Sequence, residues 1–324
     1  MRLGLCEHFY KSVTGFQESC IMVRKPAIEV IQCMKASDLS LPVVRYVLYG
    51  RPGCGKSTSL AHVMHFCGTQ GWLVAHVNWA AAYNRYYKDV QASTFVPGRV
   101  DMPVDAAEWL ANFRKTNEPL LKSLALTTIN QYTWSKRDVT EVGTPLLDVI
   151  DFALSRTKYA CDVMGVVLKE LRLRASKGDV KLLVAVDGVN AFWSTTPIKQ
   201  ESNRHITHPA GDLAIVQHWR RLLANDWSGG AVVCTVDGNA AQPADPYRYL
   251  PLDLLEKEGF ETLDPYVPIH VVNYSDKEVY SCIEYFVDRK WIQNAHAQTE
   301  DGMKELQALT SSNPLQMYLV TINW

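Results

Sequence analysis

Hydrophobic positions along the chain fall into short runs rich in β-branched residues, separated by longer stretches in which apolar residues recur at helical spacing. Runs of this length are typical of buried strands, and their alternation with helical stretches predicts parallel βαβ units rather than a β-sandwich. We therefore expect an α/β protein whose parallel sheet is flanked by helices on both faces. The predicted strands span residues 43–49, 72–77, 180–187, 230–236 and 267–272.

The stretches between these strands divide into helical and irregular segments. About 100 residues of mostly helical pattern separate the second strand from the third. Residues 194–209 are polar and are interpreted as a surface loop, whereas residues 237–251 contain three prolines and should resist regular structure. After Tyr274, a serine cap and apolar spacing predict a helix, and a shorter helix is expected at residues 300–310. These last helices indicate a small C-terminal helical region.

A glycine-rich loop follows the first predicted strand. Residues 50–57, GRPGCGKS, fit the P-loop pattern G-x-x-x-x-G-K-[ST]. Glycines let successive N–H groups point at phosphates, the lysine supplies a mobile positive charge, and the serine hydroxyl can bind Mg²⁺. The helix that begins near the end of the loop adds its positive N-terminal end. The loop therefore predicts a nucleotide site made of Gly50, Arg51, Pro52, Gly53, Cys54, Gly55, Lys56, Ser57 and Thr58.

An aspartate at the end of a later strand could complete this site. A P-loop needs a carboxylate at such a position to hold Mg²⁺, and Asp187 ends the apolar run KLLVAVD, so we expect Ser57 and Asp187 to form the magnesium side. Hydrolysing P-loop proteins often carry an acid directly afterwards, to orient and deprotonate water. Here Gly188 follows, and Asn190 could orient water but is no general base. The sequence favours nucleotide binding over turnover.

Three further residues leave alternatives open. Glu170 or Glu201 could supply a base by reaching the site through the fold, although no spacing supports either. Thr235, at a strand end, could sense the γ-phosphate or be a plain strand residue. The sequence lacks the N-K-x-D element by which G domains usually read guanine, which does not exclude GTP.

Composition and charge narrow the class of partner. The formal net charge is -1, so any RNA contact would depend on local basic stripes, which solvated helix faces also explain; one stripe comprises Lys169, Arg172, Arg174 and Lys177. The cysteines form no C-x-x-C pair, which indicates a reducing compartment rather than a disulfide framework. No apolar stretch approaches the roughly 20 residues that a membrane span needs. We expect neither a membrane span nor a DNA partner.

Several segments together resemble the mitochondrial death-associated protein family, whose members are also subunits of the small mitochondrial ribosomal subunit. The resemblance runs from about residue 20 to the end and is carried by segments that include VRYVLYGRPGCGKSTSLAHVMHFC, LLVAVDGVNAFW, NDWSGGAVV and EKEGFETLDPYVPI. It implies an AAA-like P-loop fold, a mitochondrial location, and a guanine nucleotide, GTP or GDP, bound with Mg²⁺ at residues 50–57 and Asp187. It also implies assembly with mitochondrial small-subunit ribosomal RNA and ribosomal proteins, and a role in apoptosis.

The chain departs from this family at its two ends. Members usually carry a longer N-terminal extension with a transit peptide, which is not evident in this chain, and the final residues LQMYLVTINW match poorly. We predict an N-terminal extension and first helix at residues 1–40, a P-loop nucleotide-binding domain at 41–274, and the C-terminal helical region at 275–324.

Three functions compete on these observations. The leading interpretation is a ribosomal structural subunit that holds a nucleotide with little or no hydrolysis, because a bound nucleotide stabilises the native state by mass action. The alternative is an active P-loop NTPase or switch whose hydrolysis repositions the C-terminal helices. A small-molecule phosphotransferase is the third, and ATP stays open as a ligand beside GTP and GDP.

Overall fold

A central sheet of five parallel strands forms the middle of the molecule in the computed structural model, which describes residues 7–200, 204–241 and 243–322. Its strands lie in the order β11-β1-β10-β7-β2, and every neighbouring pair runs parallel. They are β1 (Val44–Tyr49), β2 (Leu73–Val77), β7 (Leu182–Val186), β10 (Gly230–Thr235) and β11 (Val267–His270). All five predicted strands are therefore confirmed to within two residues at each end.

The described residues also form three short antiparallel ribbons outside the central sheet, and helices account for most of the remaining described chain. The ribbons pair β3 (Gln91–Ala92) with β4 (Val100–Asp101), β5 (Tyr132–Thr133) with β6 (Val139–Thr140), and β8 (Thr195–Lys199) with β9 (Thr207–Pro209). The helices are α1 (Glu7–Phe16), α2 (Lys25–Ala36), α3 (Lys56–Thr69), α4 (Ala81–Arg85), α5 (Pro103–Ser123), α6 (Leu146–Ser155), α7 (Ala160–Ser176), α8 (Ala214–Leu223), α9 (Pro251–Leu263), α10 (Asp276–Asp288), α11 (Glu300–Thr310) and α12 (Pro314–Thr321).

The sheet is buried on both faces, which explains why its strands are continuous apolar runs rather than alternating ones. Along β7, Leu182, Val184 and Val186 join the core beneath α5–α8, whereas Leu183 and Ala185 face the core beneath α2 and α3. All five β7 residues are buried. Helices on both faces of a parallel sheet are the predicted α/β architecture, and the prediction is confirmed.

The N-terminal segment and the C-terminal helices share a third, smaller core. Phe16 and Met22 pack against a cluster built mainly from α10, α11 and α12, which includes Ile283, Phe286 and Met317. α2, by contrast, packs on α3 at the sheet. The boundaries predicted at residues 40 and 274 stay predictions.

Both edges of the sheet are covered or blunted. At the β2 edge, Asn117 of α5 donates from Nδ2 to the carbonyl of Val74 (3.0 Å) and accepts from its N–H (2.8 Å). The indole N–H of Trp109 donates to the carbonyl of His76 (2.8 Å). At the opposite edge, Pro268 of β11 has no backbone N–H to offer. Side chains thus take the place of a sixth strand beside β2.

The structure departs from the sequence prediction in the polar stretch at residues 194–209. Within it, Thr195–Lys199 and Thr207–Pro209 pair as the β8–β9 ribbon, because Thr196 and Ile198 turn inward while their neighbours in β8 remain exposed. Helices α9 and α12 were not predicted. The stretch predicted to be irregular, residues 237–251, contains one short 3₁₀ turn at Gly238–Ala240 in the part the structure describes, and α9 begins at its last residue, Pro251. In the described residues, no helix has the length and apolar character to cross a bilayer.

Candidate functional site

The P-loop joins β1 to α3 at the carboxyl edge of the sheet. Gly50 has φ of +153°, and a Cβ at this position would lie 2.1 Å from the carbonyl oxygen of Val271. Gly53 and Gly55 adopt left-handed φ values of +77° and +100°. Since L side chains rarely take these conformations, the glycines at these positions permit the tight curl of the loop. Lys56 begins α3.

Lys56 is held in the loop by backbone carbonyls. Its ammonium donates to the carbonyl oxygens of Gly50 (2.8 Å) and Arg51 (3.2 Å), and the side chain is buried. The carboxylate oxygen Oδ1 of Asp237 lies 3.9 Å from the same ammonium. The lysine is therefore placed as a fixed positive charge at the mouth of the loop.

Ser57 and Asp187 meet as the sequence predicted. The Ser57 side chain hydrogen-bonds Asp187, and Thr235 donates from its hydroxyl to Asp187 Oδ1 at 2.5 Å. Burial raises the pKa of Asp187 above its usual value, while these two hydrogen bonds act in the opposite direction. A serine hydroxyl beside a carboxylate at the end of a strand is an all-oxygen donor set, which suits Mg²⁺. The residues present fit the metal that the fold implies.

Thr235 and Asn190 have structural partners in this site. Thr235 accepts a hydrogen bond from the N–H of Gly188 (2.8 Å) in addition to its bond to Asp187, so it ties β10 to the end of β7. Asn190 donates to the carbonyl of Asp237 and accepts from its N–H, both at 3.0 Å. The Asn190 amide thus holds the start of the loop after β10, and a role for this side chain in orienting water stays a prediction.

Asp237 is a site residue that the sequence reasoning missed. It follows β10, which lies between β1 and β7, so its carboxylate enters the same edge of the sheet as Lys56 and Asp187. The N–H of Asn239 donates to it (3.3 Å). The available signal was an aspartate directly after a predicted buried strand. Asp237 also begins the stretch with three prolines, and that pattern predicts only irregular structure.

Of the two glutamates considered as bases, Glu170 is engaged elsewhere and Glu201 lies outside the described residues. Glu170 is fully buried and accepts from the N–H groups of Ile129 (2.8 Å) and Asn130 (3.2 Å) and from the hydroxyl of Tyr132 (2.6 Å). The Glu170 carboxylate therefore extends from α7 and organises the loop at residues 129–132, not the P-loop.

The basic stripe on α7 is largely engaged in contacts within the chain. Arg172 pairs with Asp226 (2.5 Å), Arg174 pairs with Asp179 (3.0 Å), and the Lys169 ammonium lies 5.5 Å from the centre of the Tyr132 ring. RNA contact by this stripe stays a prediction.

A cavity of about 870 Å³ connects the P-loop to the terminal segments. Its polar end is lined by Lys56, Ser57, Thr58, Asp187 and Asp237 among others. The other end is mostly apolar and aromatic, with Phe16, Met22, Tyr274, Tyr285, Phe286 and Tyr318 in its wall. Charged and hydroxyl side chains at the P-loop, with aromatic side chains elsewhere in the same wall, are the chemistry that the phosphates and the base of a nucleotide require.

The sheet order, the P-loop after β1 and the carboxylate after β7 define a P-loop protein with an AAA-like core. Within that class, the model of the family described as mitochondrial ribosomal death-associated protein 3 matches residues 21–319, and the chain belongs to this family. The family resemblance seen in the sequence is confirmed.

Two relatives, from Bos taurus and Mus musculus, agree with the family assignment. The small ribosomal subunit protein mS29 of Bos taurus is 43% identical over 311 residues, which cover 96% of this chain and 77% of that protein. The protein of the same name from Mus musculus is 41% identical over 314 residues, which cover 97% of this chain and 79% of that protein. Among solved structures, a Walker-type ATPase of Pyrococcus abyssi matches with a TM-score of 0.47 and 9% identity, over 94% of this chain and 67% of that one.

Proposed function

We propose that this protein is a mitochondrial, structural component of the small ribosomal subunit that holds a guanine nucleotide, GTP or GDP, together with Mg²⁺. The ribosomal part rests on relatives named small ribosomal subunit protein over nearly the whole chain. The expected partners are the small-subunit ribosomal RNA and neighbouring ribosomal proteins. The proposal extends to apoptosis only through the family description, which is that of a death-associated protein.

The observation that carries the nucleotide part is the contact between Ser57 and Asp187 beside Lys56 in one cavity. The loop backbone would hold the phosphates, Lys56 would balance their charge, and Ser57 with Asp187 would hold Mg²⁺. When bound, the metal would neutralise phosphate charge. Guanine is proposed on the family resemblance.

Little or no hydrolysis is part of the proposal. Asn190 has no basic group and binds the backbone of Asp237, and the carboxylate of Glu170 binds the loop at Ile129 and Tyr132. A nucleotide held without turnover stabilises the native state by RT ln(1 + [L]/Kd), about 2.7 kcal/mol at a hundredfold excess over Kd. Such a ligand serves as a fixed part of the structure.

The alternative, an active NTPase or switch, is favoured by one observation. Asp237 places a second carboxylate in the cavity, 3.9 Å from the Lys56 ammonium, where it could orient an attacking water. Single-turnover assays with labelled GTP and ATP separate the two functions. If the wild type turns over nucleotide, and Asp237→Asn loses this turnover while it retains GDP affinity, the protein is an active NTPase and not a purely structural subunit.

The deciding experiment identifies the nucleotide released from the protein in its native complex. Tagged chain is recovered with mitochondrial small subunits, and the nucleotide extracted by denaturation is identified by its base and its number of phosphates. We expect stoichiometric GDP or GTP with the wild type and a loss of at least tenfold with Lys56→Ala, since one charge-assisted phosphate contact contributes about 1.5–3 kcal/mol. A nucleotide-free wild type would contradict the nucleotide part, and failure to co-sediment with the small subunit would contradict the ribosomal part.

A further inference from the structure

The carbonyl side of the P-loop is held by both ends of the chain. Asn313, the residue that caps α12, donates from Nδ2 to the carbonyl of Pro52 (3.0 Å). The N–H of Leu315 donates to the carbonyl of Gly53 (3.1 Å). From the N-terminal side, Arg24 donates to the carbonyl of Cys54 at 2.6 Å. Three consecutive loop carbonyls are therefore bound by residues distant in sequence.

These contacts control where the loop N–H groups point. In a planar trans peptide, the C=O and the N–H point in opposite directions. The carbonyl of Pro52 shares its peptide plane with the N–H of Gly53, and the carbonyl of Cys54 shares its plane with the N–H of Gly55. Gly53 and Gly55 line the cavity. Fixing these two carbonyls therefore also fixes the directions of the Gly53 and Gly55 N–H groups, which belong to the loop backbone that would bind phosphates.

The two donors are themselves firmly placed. Arg24 is buried, pairs with Glu278 of α10 (2.9 Å), and donates to the carbonyl of Val272 (2.9 Å), while its guanidinium lies 4.8 Å from the centre of the Tyr274 ring. Asn313 Oδ1 accepts hydrogen bonds from the first N–H groups of α12. Its Nδ2 donates to the Pro52 carbonyl and to Oδ1 of Asn273 (3.2 Å). The P-loop is thus bonded to the first turn of α12 and, through Arg24, to α10.

We propose that Asn313 and Arg24 are positioning residues that preorganise the P-loop for phosphate, and that nucleotide binding is in turn coupled to the docking of the C-terminal helical region. The coupling has a physical route: a peptide whose N–H binds an anion becomes a stronger acceptor at its carbonyl, because hydrogen bonds in a chain polarise one another. Coupling between two sites is reciprocal. If docking of the C-terminal helices strengthens nucleotide binding, then nucleotide binding strengthens the docking of these helices by the same free energy. The inference rests on the proposed nucleotide binding.

Asn313→Ser tests the positioning role with the helix cap retained. Serine is as good an N-cap as asparagine, but its short hydroxyl cannot cap α12 and also reach the Pro52 carbonyl. Asn294→Ser is the matched control, since Asn294 also caps a short helix in the C-terminal region, through its bond from His296 N–H, and does not contact the P-loop. Affinity for GDP with Mg²⁺ is measured by calorimetry, and urea unfolding of the nucleotide-free proteins is measured beside it.

We expect Asn313→Ser to bind GDP about fivefold more weakly, the factor that corresponds to the roughly 1 kcal/mol of one net hydrogen bond, and Asn294→Ser to bind like the wild type. Hydrogen exchange should show GDP slowing the amides of α10 and α12 in the wild type, and slowing them less in Asn313→Ser. Equal GDP affinity of Asn313→Ser and the wild type would overturn the proposal, and so would equal weakening in both serine variants.

A second variant decides the matter if Asn313→Ser does not fold. Arg24→Lys keeps the positive charge and loses the fork of donors, so it should also weaken GDP binding several-fold while the protein stays folded. Unchanged affinity there would overturn the proposal. A wild type that binds no GDP contradicts the proposed function itself, whereas normal binding in the variants contradicts only the positioning role.

Discussion

Replacing Glu170 by glutamine should destabilise the native protein by about 3 kcal/mol. The Glu170 carboxylate is fully buried, and Oε1 accepts from the Asn130 N–H, the Asn130 side chain and the Tyr132 hydroxyl, while Oε2 accepts from the Ile129 N–H. Every contacting group is a donor, so the site is built for two acceptor oxygens. Burial and this carboxylate together raise the pKa of Tyr132, which keeps its hydroxyl protonated as a donor.

The magnitude follows from where the new amide group must point. The better orientation of glutamine keeps its oxygen at Oε1, which holds three of the four hydrogen bonds. Its NH₂ then faces the partly buried N–H of Ile129, and a backbone donor left there without an acceptor costs about 1–3 kcal/mol. The three remaining bonds lose their charge assistance, which adds about 1 kcal/mol. Tyr132→Phe removes a single donor and should cost less, about 1–2 kcal/mol.

Urea unfolding followed by tryptophan fluorescence and by circular dichroism measures both variants. A Glu170→Gln variant within 1 kcal/mol of the wild type would refute the claim that the carboxylate organises the loop at Ile129–Tyr132. GDP affinity should stay at the wild-type value, since Glu170 does not line the nucleotide cavity. Loss of nucleotide turnover with stability intact would place Glu170 in the chemistry and contradict its structural role.

Three further outcomes are expected. Gly50→Ala should destabilise the protein by about 3 kcal/mol in urea unfolding, because its Cβ would meet the Val271 carbonyl at 2.1 Å; a loss below 1 kcal/mol would show that the loop can shift. Asn190→Ala should cost about 2 kcal/mol by the same measurement, since the two partly buried hydrogen bonds to the Asp237 backbone are lost, and an unchanged midpoint would contradict this. Burial raises the pKa of Glu278, but the hydrogen bonds from Arg24 and Ser275 and the charge of Arg24 together outweigh it, so the folded pKa is lowered. The stabilisation is present above the unfolded value of about 4.3 and is lost as the pH falls through the folded pKa. Glu278→Gln should therefore flatten the acid limb of stability measured between about pH 3 and pH 5, and an identical limb in both proteins would exclude the pair as its source.

The sheet was predictable because buried parallel strands are local signals. β7 and β10 are runs of mainly apolar residues, and every residue in both strands is buried. A run of this kind predicts burial on both faces without reference to the rest of the chain. The P-loop and the carboxylate of Asp187 were equally local, since each follows directly from one of these strands. The β8–β9 ribbon was not, because β9 is only three residues long and pairs with a strand that buries only two side chains.

The contacts that organise the site could not be predicted from sequence patterns. Asn190 and Asp237 are 47 residues apart, and their amide–backbone pairing exists only after β7 and β10 lie side by side. The bond from Asn313 to Pro52 spans 261 residues. Asparagine at a helix start predicts a cap, but its second hydrogen bond depends on which surface the helix meets.

The treatment of the two sheet edges limits how this protein can associate with others. An exposed edge strand is a template on which another chain can add a strand. The Val74 backbone on one edge is already bonded to Asn117, and Pro268 interrupts the row of donors on the other. Strand addition at either edge is therefore disfavoured, which leaves the helices, ribbons and loops as the better docking surfaces for a neighbouring protein.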